Sequence, residues 1–466
     1  MRSSVDRNRR RLLQQLAALP LAGGVSMLSG NTAHAACSNG KSLVCIFMAG
    51  GADSFNMFVP GSSEYDVYRA TRGQLAVDGS DLINVNDSAQ GAFGFNSLLP
   101  GFADLYNQNR LAVVANTGTL IRPTTKSDYL ATNSIPESLF AHNTQQKLWQ
   151  TGAGIVSGSA SFGWGGAIGD HAANCNGNIP IAPTFSIAGN TDWLSSAKNN
   201  YISLNAGVAI ERMYGYEGWS EWIPGNRIDE VGQTLENLIA QGQAARNSRL
   251  LNVVSNSVER ATAATKSLHT AIRDNPLDQM QYNGANKLAS QLHLVAKIIA
   301  AREELGMQQQ IFFVQMGGWD THSDQNIRLP LQYQALNEAV TAFQATIDDI
   351  NKSDSVLSFT ASDFGRTLTS NGNGTDHGWG GHNFVFGDSV EGGRIFGEMP
   401  NLASIGNDDD AGDDDGSFAG RIIPKISVNQ YAATLARWTG VEESAISNAL
   451  PDLANFAQKD LGFLRS

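Results

Sequence analysis

Charge is scarce in this chain: of 466 residues, 16% are charged, and the basic ones are the scarcer, 32 Lys+Arg against 44 Asp+Glu. A formal charge of −12 excludes the basic footprint that nucleic-acid binding needs. It equally excludes a basic patch that docks on anionic lipid. Long apolar runs are missing as well. After the first residues no run of about 18 apolar residues occurs, so no stable membrane insertion is expected once the leader is removed. The 3 cysteines include no C-x-x-C, which argues against a cysteine zinc site or thioredoxin-type chemistry. Disorder is excluded in turn, since 42% of the residues are apolar, enough for one large core or two modest ones.

The amino terminus reads as an address. Arg2, Arg7, Arg9, Arg10 and Arg11 precede a mildly apolar run from Leu12 to Leu28, and Ala33-His34-Ala35 supplies a cleavage pattern. Asn8-Arg9-Arg10-Arg11-Leu12-Leu13 fits the twin-arginine form of export signal. Residues 1–35 are therefore expected to be a signal peptide, and residues 36–466 an acidic periplasmic protein. That compartment permits disulfides. Cys45 lies in an apolar run and reads as a buried thiol, whereas Cys37 and Cys175, in polar Asn-containing loops, are the expected pair.

Four short apolar runs, 43–48, 111–115, 311–316 and 356–360, read as buried parallel strands. Helical spacing over 99–109 and 332–350 places helices between them. Alternating strands and helices predict an α/β fold with a mainly parallel central sheet flanked by helices. Residues 228–307 carry helical spacing with a break at Asn275-Pro276 and are read as a helical insertion or as ordinary crossover helices; His269 and His293 fall there and are read as structural. The aspartate run at 408–415 lacks the spacing of a calcium loop and is expected to be a solvated acidic loop.

Chemistry in open α/β sheets gathers beyond the carboxyl ends of strands. Three expected strands end in aspartates: Gly50-Gly51-Ala52-Asp53, Gly317-Gly318-Trp319-Asp320 with His322, and Ser362-Asp363. Gly374-Thr375-Asp376-His377-Gly378-Trp379-Gly380-Gly381-His382 follows the last. Carboxylates brought to one edge repel unless a cation lies between them. Asp320 and His322, two apart in extended backbone, point the same way. Asp53, Asp320, His322, Asp363 and His377 are thus candidate ligands of a divalent metal ion. The mixed carboxylate and imidazole donors suit zinc, manganese or iron better than calcium.

These motifs, with the twin-arginine signal and Ser362-Asp363-Phe364-Gly365-Arg366-Thr367, resemble an exported bacterial family known as "domain of unknown function 1501", placed in the alkaline phosphatase/sulfatase superfamily. The resemblance spans essentially the whole mature chain and implies an alkaline phosphatase/sulfatase-like fold. It aligns Asp53, Asp320, Asp363 and His377 with the superfamily's metal ligands and keeps His382 as a reserve for the late histidine. Phe364 stands where phosphatases place a second ligand. His142, ahead of Thr151-Gly152, stands where sulfatases carry their nucleophile.

His142 opens an expected short helix, and a helix amino terminus attracts anions. It is read as a nucleophile, a general acid/base or a metal ligand. The function these readings imply is metal-dependent hydrolysis of an anionic small-molecule or glycan ester, phosphate or sulfate. Asn56, Asn143, Arg366 and His382 would hold the substrate. The alternative is a non-catalytic relic of the fold that binds a surface glycan or a partner protein.

Overall fold

The computed structural model describes residues 37, 40–152, 162–177, 179, 181–206, 227–245, 248–273, 277, 282–402, 409–412 and 420–465. The expected signal peptide, the break at Asn275-Pro276, Asp408 and Asp413–Asp415 lie outside them.

The strands are β1 (Lys41–Met48), β2 (Phe58–Pro60), β3 (Leu82–Asp87), β4 (Gly91–Asn96), β5 (Leu111–Gly118), β6 (Thr184–Ser186), β7 (Ile202–Ser203), β8 (Gln309–Met316), β9 (Val356–Ser362), β10 (Gly381–Phe386), β11 (Arg394–Phe396) and β12 (Ile426–Ser427). The main sheet runs β11-β5-β10-β9-β1-β8-β6-β7, with β12 against β5; β2-β4-β3 form a small second sheet. In the main sheet β10 runs antiparallel to β5 and β9, and the other pairs are parallel. The α/β architecture with a largely parallel central sheet is the one observed.

Strand β1 shows why its composition is nearly all apolar. Side chains alternate across a strand, and here both faces are covered. Val44, Ile46 and Met48 enter one core, with the helices Pro100–Asn107, Lys287–Ala300 and Gln325–Asp349. Leu43, Cys45 and Phe47 enter the other, with the helices Trp164–Asn176 and Val428–Trp438. Cys45 is a buried free thiol whose pKa is driven up by burial.

Several expectations need correction. The helix expected from Gln332 begins at Gln325 and contains Pro330, so the spacing after the proline caught only its second part. Within 228–307, the helices Arg227–Ala244 and Arg249–Arg273 pair with each other, while Lys287–Ala300 buries Leu292, Val295 and Ile299 as a crossover helix leading into β8. His293 stacks on Tyr282. Cys37 and Cys175 form a disulfide, but Cys175 stands in the Trp164–Asn176 helix rather than in a loop. Asp410 of the acidic run is buried, its Oδ1 accepting from the backbone N–H groups of Gly412 and Arg421, and is not solvated. Among the described residues no helix is long and apolar enough to cross a membrane.

Candidate functional site

Strands β1, β8 and β9 end level with one another: Met48 pairs with Met316 on one side and with Ser362 on the other. The three aspartate-bearing loops therefore leave the sheet at one height. The chain passes from β1 to both sides of it, and such switch points are where α/β sheets open a crevice. The 317–324 and 370–377 segments are then clamped together. Thr375 N–H donates to Thr321 C=O at 3.2 Å, Gln325 N–H to Asn373 C=O at 3.1 Å, and Gly374 leaves no room for a side chain against the Thr321 carbonyl. A ladder between Gly365–Thr367 and Asp376–Trp379, including the Arg366–His377 bridge, turns His377 toward the same point.

The result is a cluster of Asp320, His322, His377, His142 and Asp363. His322 Nε2 lies 2.8 Å from His377 Nε2, and Asp320 Oδ1 lies 3.1 Å from the first and 3.4 Å from the second. His142 Nε2 is 3.5 Å from Asp320 Oδ2, is buried and has no hydrogen-bond partner. His142, Asp320 and His377 each offer a ligand atom within 4.8 Å of the others, close enough to hold one metal ion. Phe364 forms an aromatic floor, its ring 4.8 Å from that of His142 and 4.7 Å from that of His377. Gly51, at φ +78°, lets the chain pass where a Cβ would strike that ring.

The outer nitrogens of all three histidines share one property. His142 Nδ1 donates to Asp363 Oδ2 at 2.7 Å, His322 Nδ1 to Asp376 Oδ1 at 3.0 Å, and His377 Nδ1 to the Phe140 carbonyl at 2.7 Å. Ionised carboxylates and carbonyls only accept, so each Nδ1 carries the proton and each Nε2 of a neutral ring presents a lone pair. His142 and His377 Nε2 thus face a common centre with the Asp320 carboxylate, and His322 Nε2 lies against His377 and Asp320. Metal-bound histidines characteristically have an acceptor on the other ring nitrogen in this way.

Burial and hydrogen bonding shift two of these histidines in opposite directions. Burial pulls the Asp320 carboxyl up, but the hydrogen bond and charge of Arg366, with His322 and His142 nearby, hold it below the usual range. His142 is raised, chiefly by its hydrogen bond to Asp363 and against the effect of burial. His377 is lowered, chiefly by burial and against its hydrogen bond to the Phe140 carbonyl, with the Arg366 charge acting in the same direction as burial.

Five expected site residues are placed otherwise than anticipated. Asp53 is wholly buried and ion-paired with Arg72, itself buried, and its Oδ2 also accepts from Gln325 Nε2 at 2.7 Å, while its Oδ1 is buried without a hydrogen-bond partner. Asp363 is likewise turned to support His142, with Gln146 Nε2 at 2.9 Å and Gly50 N–H at 3.2 Å as its other partners. Asn56, expected to bind substrate, is filled by Tyr68, Arg72 and Leu75. Arg366 is buried and engaged by Asp320 and Thr375. His382 is buried on β10, accepting from Asn116 N–H at 3.2 Å, and burial pushes its pKa down to about 3. Asn143 remains exposed on the first turn of the His142–Thr151 helix.

Arg72, Gln146, Gln325 and Asp376 were not anticipated. Gln146 had a local signal, being one helical turn after His142 and so on the same face. Asp376 stood in a quoted motif but beside a histidine other than the one it serves. Nothing near Arg72 in the sequence points to Asp53.

A family model described as "Protein of unknown function (DUF1501)" matches residues 40–411. No curated protein sequence matches the chain. Solved structures similar to it include the lipoteichoic acid synthase LtaP from Listeria monocytogenes, with 8% identity over 83% of this chain and 76% of that one and a TM-score of 0.33. The PsFucS1 sulfatase from Pseudoalteromonas sp. gives 8% identity, 80% and 67% coverage and a TM-score of 0.32. The periplasmic domain of EcEptC from Escherichia coli, in complex with Zn, gives 10% identity, 87% and 83% coverage and a TM-score of 0.34.

Proposed function

The chain belongs to the DUF1501 family of proteins of unknown function, and we propose that it is an exported, metal-dependent hydrolase of phosphate or sulfate esters. The observation that carries this reading is the convergence of His142 and His377 Nε2 with the Asp320 carboxylate, with His322 Nε2 2.8 Å from His377 Nε2 and 3.1 Å from Asp320 Oδ1, each Nδ1 being committed to an acceptor. One proton can join two of those lone pairs but cannot satisfy three and a carboxylate; a divalent cation can. Asp320, His322 and His377 would hold it, and the nitrogen-rich donor set suits zinc, manganese or iron. Bound there, the ion would supply Lewis acidity to an ester oxygen.

The chain's own residues supply the rest. Asp363 fixes the His142 tautomer, which leaves Nε2 as the nitrogen that takes the proton of an attacking water. Gln146 and Gly50 N–H hold the Asp363 carboxylate in place. Phe364 closes the floor against bulk water. The ester is anionic, from a small molecule or a glycan, and meets this group from the open Asp320 side.

One observation favours a second reading. His142 Nε2 is close enough to act as a fourth ligand. Four protein ligands make a closed, structural zinc site rather than an open catalytic one. That would be the binding relic, taking a surface glycan or a partner protein. His142→Gln separates the two. In the hydrolase the variant keeps its fold and metal content and loses hydrolysis of phosphate and sulfate ester substrates. In the closed site it loses the metal as well, measured by elemental analysis of the purified protein. Export rests on the paired Arg9 and Arg10, and replacing both with lysine is expected to leave the protein in the cytoplasm, read by cell fractionation.

A further inference from the structure

The three histidines are supported unequally. His142 stands on a helix and leans on Asp363, whose side chain is fully buried. His377 is bridged to Arg366 through the backbone and held by the Phe140 carbonyl. His322 sits on a loop after Gly317-Gly318, with its side chain 44% exposed. Away from the cluster its ring is held by Asp376, Oδ1 to Nδ1 at 3.0 Å, while its Nε2 faces His377 and Asp320.

Asp376 is itself firmly placed. Its N–H donates to Thr367 Oγ at 3.0 Å, and its C=O accepts from Thr367 N–H at 3.0 Å. Asn371 Nδ2 donates both to Asp376 Oδ1, at 3.0 Å, and to the His322 carbonyl, at 3.1 Å. A single amide thus ties the carboxylate to the backbone of the residue that it orients.

We propose that Asp376, braced by Asn371, is a positioning residue: it holds His322 as the Nδ1–H tautomer and aims Nε2 at the cation. This rests on the metal reading above. The Oδ1 of Asp376 is committed to His322 and Asn371. Its effect passes through His322. The exposed His322–Asp376 pair then lies on the side from which an ion enters and leaves.

The test is titration of the metal-free protein with Zn2+ and Co2+ against a chromophoric chelator. Asp376→Asn is expected to weaken both ions about 10–100-fold, the usual cost of losing an outer partner. It should also alter the Co2+ absorption spectrum as the His322 nitrogen is lost or displaced. In a His322→Ala background the Asp376→Asn change should weaken binding no further. Asn371→Ala should cause a smaller loss in the same direction, and it stands in if Asp376→Asn does not fold. Parental affinity in both variants, or an equal loss from Asp376→Asn with and without His322, overturns the positioning role while the metal reading stands. A parent that binds neither ion overturns both.

Discussion

Asp53 follows β1 and Asp320 follows the neighbouring β8, each at the end of a Gly-Gly-x-Asp segment. Their electrostatic situations are opposite. Asp53 is wholly buried, faces the buried Arg72 and takes a further hydrogen bond from Gln325. Asp320 is 45% exposed; its Oδ1 is shared by Arg366, His322 and His377, and its Oδ2 faces His142. A buried carboxylate requires a built-in counter-ion, because solvent cannot supply one. An open carboxylate beside three imidazoles keeps a face toward solvent that an external cation can reach. The same local motif thus serves stability in one loop and ligand chemistry in the next; each carboxylate meets a buried arginine, and the exposure of Asp320 and the histidines around it make the difference.

Arg72→Met should sharpen this contrast most. It leaves Asp53 buried without its counter-ion, and a loss of about 3–5 kcal/mol is expected by urea unfolding. Asp53→Asn should retain the bound metal; loss of metal there would return Asp53 to the ligand set and break the comparison.

His382 gives a second, smaller effect on the buried side. Its pKa is depressed by burial from 6.5 to about 3, so the folded protein keeps it neutral while the unfolded chain protonates it below 6.5. The unfolded state then binds more protons, and stability falls as the pH falls from 6.5 toward 3. From pH 7 to pH 5 the parent should lose about 2 kcal/mol more than His382→Leu, at roughly 1.4 kcal/mol per pH unit below 6.5. Equal pH slopes in parent and variant would show that the ring finds a charged partner inside.

The smallest stability effect belongs to the open side. His322→Ala removes an exposed pair and should change the stability of the metal-free protein by about 0.5 kcal/mol or less. It should nevertheless weaken metal binding at least as much as Asp376→Asn does, read by the same chelator competition. A large loss of stability without metal would mean that the cluster is held for structure.

Much of the fold was legible because buried parallel strands leave a plain mark. Leu43–Met48 is continuously apolar since both faces of β1 are covered. Strand β10 was not legible. Gly381-His382-Asn383 opens it with the composition of a loop, and its pairing comes from β5 and β9. In the site, Asp320, His322 and His377 could be named from strand tips and spacing. The partners that decide what each group does could not: Arg72 lies nineteen positions after Asp53 on a surface helix, and Asp376 reaches across to a different loop.

Residue pattern by itself determined that β1, β8 and β9 form, that they are buried, and that carboxylates and imidazoles follow them, because periodicity and burial are local properties of the chain. The tertiary structure decided which carboxylate is sealed in with its counter-ion and which stays half exposed, and which imidazole nitrogens face inward. Those outcomes depend on distances between segments far apart in sequence, where a few ångströms separate an internal ion pair from an open ligand.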